Sequence, residues 1–258
     1  MKKGPVAGPF EIGELGEVKI NSLMAVARND GGCQMVVNLS APKGKSFNDG
    51  IQKETMEIWH VEQMTSKEFA EKLSKAGRHV VMTKSDLVGA YKCLPVCIGQ
   101  RWLQGFVIGR KLFIELRMMF GDMAACMLFD HFHRTQAEFH VIPKVPLPKR
   151  WRGYAVDDLP TVVPVEAREE QVKFVAEYRK QLDELGIAAA PADPLCKKAF
   201  DGATKGEVLG IVFDTVKMTW KLPRRKIVVF VKQLVEASAE SGRLTLTRWK
   251  LSLVNSHT

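Results

Sequence analysis

Two adjacent acidic residues in an apolar segment constrain the fold of this chain more than any other feature. Asp157 and Asp158 follow Tyr154-Ala155-Val156, and the stretch 151–165 predicts a strand, a tight turn at the two acids and a second strand. Neighbouring carboxylates repel each other, and a purely structural hairpin would favour Asn-Gly or Asp-Gly at this turn. Mg²⁺ or Mn²⁺ would relieve the repulsion, because hard divalent cations bind carboxylate oxygens. A solvated acidic turn is the alternative that the pair alone leaves open.

A third acid, Asp86, ends an apolar strand predicted over 79–87, and it lies 71 residues before Asp157. Acids at the ends of adjacent strands would form a cup of three carboxylates. Such a cup could hold two metal ions about 3.5–4 Å apart, the arrangement that supports phosphoryl transfer. For Asp86 alone, an N-cap of a helix that starts at Leu87 remains an equal alternative.

The remaining elements alternate between strands and helices without a regular βαβ rhythm, which predicts an α+β fold with a largely antiparallel sheet. The first thirty residues are rich in glycine and indicate a loop or an arm. The other predictions are a strand at 34–39, a helix from the capping box at Thr65 to Gly77, a hairpin at 103–116 folded at Gly109-Arg110, a helix at 122–139, a helix at 165–185, a hairpin at 207–222 and a helix from Pro223.

Charge and composition limit the classes of partner. The chain has 38 Lys and Arg against 29 Asp and Glu, a net charge of +9, which favours a polyanionic partner such as nucleic acid. No run of 18 apolar residues predicts a membrane span, and the N-terminus lacks the apolar region of a signal peptide. Five cysteines suggest no disulfide framework. We therefore expect no membrane partner and an intracellular, reducing compartment, either cytoplasm or nucleus.

A zinc site is disfavoured. His131 and His133 lie two residues apart in a predicted helix and therefore point to different faces, so a shared metal with Asp130 or His140 is not expected. Cys93 and Cys97 lack the CxxC spacing, so packing is the better interpretation of both.

Five short motifs then follow one another along the chain: DLVGAYKCLPV from Asp86, Phe120-Gly121, YAVDD at 154–158, LGI at 185–187 and VLGIVFDT at 208–215. Their order resembles that of the motifs of reverse transcriptases. The segments GPF at 8–10, NLSAPKGKSFNDGI at 38–51 and KMTWKLPRRKI at 217–227 resemble the DIRS-like retrotransposons, whose elements carry a tyrosine recombinase. The chain therefore resembles the reverse transcriptase domain of retroelements, and the resemblance covers about residues 8–254.

The resemblance implies a role for each matching acid and aromatic residue. Asp86, Asp157 and Asp158 would be the catalytic triad that binds Mg²⁺ or Mn²⁺ in the palm. Tyr91 matches the aromatic residue that lies under the incoming sugar and disfavours a 2′-hydroxyl. Phe120-Gly121 would lie beside the nascent base pair and the incoming nucleotide.

The resemblance also implies contacts between lysines and phosphate. Lys198, or its neighbour Lys197, would match the lysine that approaches the triphosphate. Lys43 and Lys45 are candidate phosphate contacts in the fingers. A solvated basic turn at 42–45 is at least as good an interpretation of either residue singly.

By resemblance, the domain organisation would be that of a right-hand polymerase with fingers and palm. We expect an N-terminal arm at 1–33, fingers at 34–80, a palm with interleaved fingers elements at 81–222, and the palm end with the start of a thumb or connection at 223–258. The residues after the last predicted helix are few, so the thumb is expected to be absent or truncated.

The implied function is RNA-directed DNA polymerase activity, in which a primer 3′-hydroxyl is extended with dNTPs on an RNA or DNA template. A larger polyprotein or complex is a further expected partner. The alternative is a domesticated or decayed reverse-transcriptase-like protein that binds RNA, or serves as a structural component of a complex, without catalysis.

Overall fold

The computed structural model describes residues 5–27, 32–52, 61–193, 195 and 198–241. The described strands are β1 (Val6–Glu11), β2 (Ile20–Ala27), β3 (Cys33–Asn38), β4 (Val80–Asp86), β5 (Gly105–Ile108), β6 (Lys111–Glu115), β7 (Asp158–Pro164), β8 (Phe200–Ala203), β9 (Lys205–Val208), β10 (Ile211–Asp214) and β11 (Thr219–Lys221). The described α-helices are α1 (Ser66–Ala76), α2 (Ala125–Thr135), α3 (Arg168–Glu184) and α4 (Arg224–Ser241). None of these helices is long and apolar enough to cross a membrane.

The strands form three sheets, with the orders β1-β6-β5-β2-β3, β7-β4-β8 and β11-β10-β9. All the strand pairs are antiparallel except β2 with β5. The predicted α+β class with largely antiparallel sheets is therefore confirmed.

The sheet β7-β4-β8 lies between two hydrophobic cores, because side chains of a strand alternate between its faces. On one face Val81 packs with Phe129 of α2 and Phe174 of α3. On the other face Met82 packs with Phe69 of α1 and Phe213 of β10. A strand that is buried on both faces reads as a nearly continuous apolar run, and β4 does so from Val80 to Met82.

Two predicted elements are confirmed closely. Helix α1 starts with the capping box: the Glu68 backbone N–H donates to the Thr65 hydroxyl at 3.2 Å, and the Thr65 backbone N–H donates to the Glu68 carboxylate at 2.6 Å. The helix ends before Gly77, whose φ of 87° suits glycine. The β5–β6 hairpin turns at Gly109-Arg110 as expected.

The loop predicted for the first thirty residues is wrong over the described ones, whereas their assignment as a separate arm stays a prediction. Strand β1 pairs with β6, and β2 pairs with both β3 and β5. Both strands keep most side chains exposed or half-buried, so they lack the apolar alternation that would have revealed them.

The segment before the acid pair also differs from the prediction. Instead of a strand, it makes only isolated bridges, Arg152 with Thr161 and Ala155 with Asp158. Proline has no N–H to donate, so Pro160 can accept from Gly153, at 3.0 Å, but cannot complete the ladder. The tight turn therefore centres on Val156-Asp157, and Asp158 is already the first residue of β7.

The predicted helix at 122–139 starts at Ala125 and continues from Gln136 to Val141 as a wider π-helical turn.

Candidate metal centre

Three carboxylates meet at one end of the sheet β7-β4-β8. Strands β4 and β7 are in register from Val80 opposite Pro164 to Asp86 opposite Asp158, so these two acids are direct cross-strand neighbours. Asp157 precedes Asp158 in the turn. One oxygen from each of Asp86, Asp157 and Asp158 lies within 4.8 Å of the others. The predicted three-carboxylate cup is thus present, and the open alternative of Asp86 as a helix N-cap is wrong, because Asp86 ends β4 and a short 3₁₀ turn begins only at Ala90.

The electrostatics of the cup favour a cation. Burial raises the pKa of Asp158 to about 7, with the charges of Asp157 and Asp86 acting in the same direction and Lys84 opposing them. Burial and then Asp86 also raise the pKa of Asp157. The carboxylates are hard oxygen donors that repel one another in a half-buried site, so the residues present fit a divalent cation such as Mg²⁺ or Mn²⁺.

The turn that carries Asp157 has a strained backbone. Val156 adopts a φ of 52°, which is rare for a β-branched residue and costs about 1–3 kcal/mol. The carbonyl of Val156 accepts a hydrogen bond from Nδ1 of His133 at 2.7 Å. Because a carbonyl only accepts, Nδ1 carries the proton, and Nε2 then accepts from the Tyr178 hydroxyl at 2.6 Å. The fully buried pair of His133 on α2 and Tyr178 on α3 thus stabilises the turn through the Val156 carbonyl.

Tyr91 lies near the acids and contacts Phe120. Their rings meet edge to face with centroids 5.0 Å apart. Burial raises the pKa of Tyr91, followed by its contact with the Cys126 thiol and by the charge of Asp157. The tyrosine is therefore close enough to the cup for its hydroxyl to be affected by Asp157.

One asparagine joins the lysine-bearing loop to the Phe120-Gly121 segment. The Asn48 side-chain amide donates to the Ser40 hydroxyl and to the Gly121 carbonyl, both at 2.8 Å. Its Oδ1 accepts from the backbone N–H of Met123 at 3.0 Å. Two segments more than 70 residues apart, both implicated in nucleotide binding by the resemblance, are held together by this one side chain.

The predicted lysines are exposed. Lys43 and Lys45 lie in the turn that Asn48 ties to Gly121. Lys198 is exposed beside Asp193, whose carboxylate accepts its backbone N–H at 3.3 Å, and Lys197 lies outside the described residues. Phosphate contacts by these lysines stay a prediction.

Sequence reasoning missed Lys84, Asn48 and the His133–Tyr178 pair. The sequence could have predicted the position of Lys84, since a lysine in an apolar strand two residues before an acid lies on the same face of the strand as that acid. Nothing in the local sequence of His133 or Tyr178 indicates that the two side chains contact each other, or that His133 contacts the turn at 155–158.

Comparisons with known proteins give similarity at the level of structure alone. No family model and no curated protein matches the sequence. The foamy viral protease-reverse transcriptase in complex with double-stranded DNA matches with a TM-score of 0.61 at 13% identity, over 96% of this chain and 36% of that chain. A mutant of the prototype foamy virus protease-reverse transcriptase matches with a TM-score of 0.59 at 17% identity, over 96% of this chain and 31% of that one. The fold is reverse transcriptase-like.

A third structure, of the foamy viral protease-reverse transcriptase with an RNA/DNA hybrid, matches with a TM-score of 0.56 at 16% identity, over 83% of this chain and 25% of that chain. The chain thus spans about a third or less of the length of these three proteins.

Proposed function

We propose that the chain is the fingers and palm of an RNA-directed DNA polymerase that extends a primer 3′-hydroxyl with dNTPs. The observation that carries this proposal is the cup of Asp86, Asp157 and Asp158 at the end of β4 and β7, in a fold that is reverse transcriptase-like. Descent from DIRS-like retroelements is part of the proposal and is supported by the resemblance of the segments 8–10, 38–51 and 217–227.

The residues of the cup would hold Mg²⁺ or Mn²⁺. A bound divalent cation lowers the pKa of a primer hydroxyl and offsets the charge that develops on phosphate oxygens. The chain supplies the position of the carboxylates: the β4–β7 register fixes Asp86 and Asp158, and the His133–Tyr178 pair fixes the turn that presents Asp157.

The nucleotide would lie between the cup and the Tyr91–Phe120 pair. Tyr91 would lie beneath the sugar, where its ring leaves little room for a 2′-hydroxyl, and Phe120-Gly121 would border the nascent base pair. The triphosphate would approach Lys43 and Lys45 from the loop that Asn48 anchors, with Lys198 as a further cation. Complexes of the foamy viral enzyme with double-stranded DNA and with an RNA/DNA hybrid support a template-primer duplex as the partner.

Primer extension tests the proposal. We expect the protein to extend an oligo-dT primer on poly-rA with Mg²⁺ or Mn²⁺, and Asp157→Asn to abolish extension. Asp183→Asn, at an exposed position of α3, is the matched control and should retain full activity. A well-folded wild-type protein that binds the duplex but adds no nucleotide would contradict the proposal and favour a non-catalytic binding protein instead.

A further inference from the structure

A buried lysine lies beside the cup. Lys84 is in the middle of β4 and only 6% exposed, and its Nζ lies 3.6 Å from Oδ2 of Asp158. It precedes Asp86 by two residues, so both side chains are on the same face of the strand. Asp158, directly opposite Asp86, is on that face as well.

Burying an ammonium is costly unless a carboxylate pairs with it, and the nearby Asp158 provides that carboxylate. Lys84 also opposes the effects that raise the pKa of Asp157, so its charge is felt by two of the three acids. Asp158 is the acid that Lys84 contacts, whereas Asp86 and Asp157 form no ion pair with any residue that the structure describes.

We propose that the Lys84 ammonium is a resident cation of the cup: it holds Asp158 as its own counter-ion and leaves Asp86 and Asp157 to bind one divalent cation. The inference rests on the proposed metal site. Three carboxylates, one ammonium and one divalent ion give an electroneutral centre. A second divalent ion would leave an excess of positive charge, which the phosphates of an incoming nucleotide would have to balance.

The test measures Mn²⁺ binding to the full chain without nucleic acid or nucleotide. The electron paramagnetic resonance signal of free Mn²⁺ gives the concentration of unbound metal. We expect one Mn²⁺ per wild-type chain. Lys84→Met removes the competing charge and should lower the Kd by about tenfold or more, since charges at such separations interact strongly in a half-buried site. Asp158→Asn leaves the ammonium unpaired beside the cup and should raise the Kd.

The double variant Lys84→Met/Asp158→Asn distinguishes a counter-ion from a metal ligand. It removes an electroneutral pair, so its Kd should return to within about threefold of wild type, because the two changes act on one shared interaction. Lys144→Met is the matched control, since Lys144 pairs with Glu177 at 3.0 Å on the surface, and it should bind Mn²⁺ as wild type does.

Two results would overturn the inference. One is a double variant that binds Mn²⁺ as weakly as Asp158→Asn, which would make Asp158 a direct ligand. The other is a wild-type Kd in a folded Lys84→Met protein; where Lys84→Met does not fold, the double variant decides alone. If the wild-type protein binds one Mn²⁺ but fails to extend a primer, the polymerase proposal is overturned and the role of Lys84 stands. If neither the wild type nor any variant binds Mn²⁺, both proposals are overturned.

Discussion

At the scale of single residues, Asn48 shows how one side chain can hold two distant segments together. Its side chain makes three hydrogen bonds: one to Ser40 within the loop that carries Lys43 and Lys45, and two that join this loop to Gly121 and Met123. The bonds to Gly121 and Met123 span 73 and 75 residues of sequence. No local sequence pattern could have predicted such contacts, although both segments could be singled out by their motifs.

Loss of this bridge should weaken nucleotide binding specifically. In primer extension, Asn48→Ala should raise the KM for dTTP by about tenfold, which corresponds to the roughly 1.4 kcal/mol expected from the lost hydrogen bonds. The apparent affinity for primer-template should change little. Asn48→Asp keeps the acceptor for Met123 but loses both donors, so its KM should be intermediate. Equal losses in dTTP and primer-template binding would argue against a specific role.

The three acids differ from Asn48, because the sequence alone predicts that they lie together. Adjacent acids at a turn and an acid at the end of an apolar strand are each unusual for a purely structural segment. Lys84 could have been added by strand alternation. The contact of its Nζ with Asp158 depends on the pairing of β4 with β7, which only the structure gives.

At the scale of elements, the turn between Ala155 and Asp158 is stabilised by packing rather than by favourable turn residues. Valine at φ 52° has no intrinsic preference for this conformation. The buried His133–Tyr178 pair, from α2 and α3, stabilises this conformation through the hydrogen bond to the Val156 carbonyl. The amphipathic pattern predicted both helices, but it did not predict the hydrogen bond between them. The element prediction therefore succeeded for the helices and failed at the turn, where tertiary contacts override local propensity.

His133 also gives the fold an acid sensitivity. Burial lowers its pKa to about 4 from an ordinary value of 6.5, so the unfolded chain takes up a proton between these pH values while the folded chain does not. The free energy of unfolding should therefore fall as the pH drops from 6.5 towards 4, by about 3 kcal/mol from this residue. Asp130 and Arg134 act on the same imidazole in opposite directions, and burial outweighs both.

Urea unfolding at pH 7 and pH 4.5 of wild type and His133→Asn measures this contribution. An asparagine amide can still donate to the Val156 carbonyl, and it does not titrate. The variant should lose less stability between the two pH values, by about 2–3 kcal/mol, while the other titrating groups contribute equally to both proteins. An identical pH dependence in the two proteins would show that folding does not lower the pKa of His133.

Strands β1 and β2 show where element prediction has no signal to use. Their side chains are largely exposed, and glycine-rich sequence lies between and around them. Strand β1 pairs with β6 and strand β2 pairs with β5, which are non-local contacts, and β2 also pairs with the next strand along the chain, β3. These pairings, rather than a pattern in their own sequences, make them strands. The β5–β6 hairpin, by contrast, has apolar strands and a local Gly-Arg turn, so it could be recognised in isolation.

At the scale of the whole molecule, the net charge of +9 should make duplex binding strongly dependent on salt. We expect the affinity for primer-template, measured by fluorescence anisotropy, to fall by about tenfold or more between about 50 and 200 mM NaCl. The double variant Lys43→Gln/Lys45→Gln should make the negative slope of log K against log salt shallower by about 2, since each phosphate contact contributes about 0.9 to its magnitude.

The control removes two lysines from a different surface. Lys144→Gln/Lys180→Gln has the same net charge as the test variant, but both lysines already pair with Glu177. Its slope should match wild type. If both double variants reduced the slope equally, general charge rather than the loop at 42–45 would account for duplex binding.

The register of β4 and β7 has a consequence for the thermodynamics of the whole chain. The acids come from positions 71 residues apart, so the unfolded polypeptide has no preformed cation site, unlike a contiguous calcium-binding loop. Any ion bound in the cup therefore binds the native state alone and shifts the folding equilibrium by mass action. The melting temperature of the chain should therefore rise with the concentration of the divalent cation, and calorimetry would report the occupancy of the cup even in a variant that does not extend a primer.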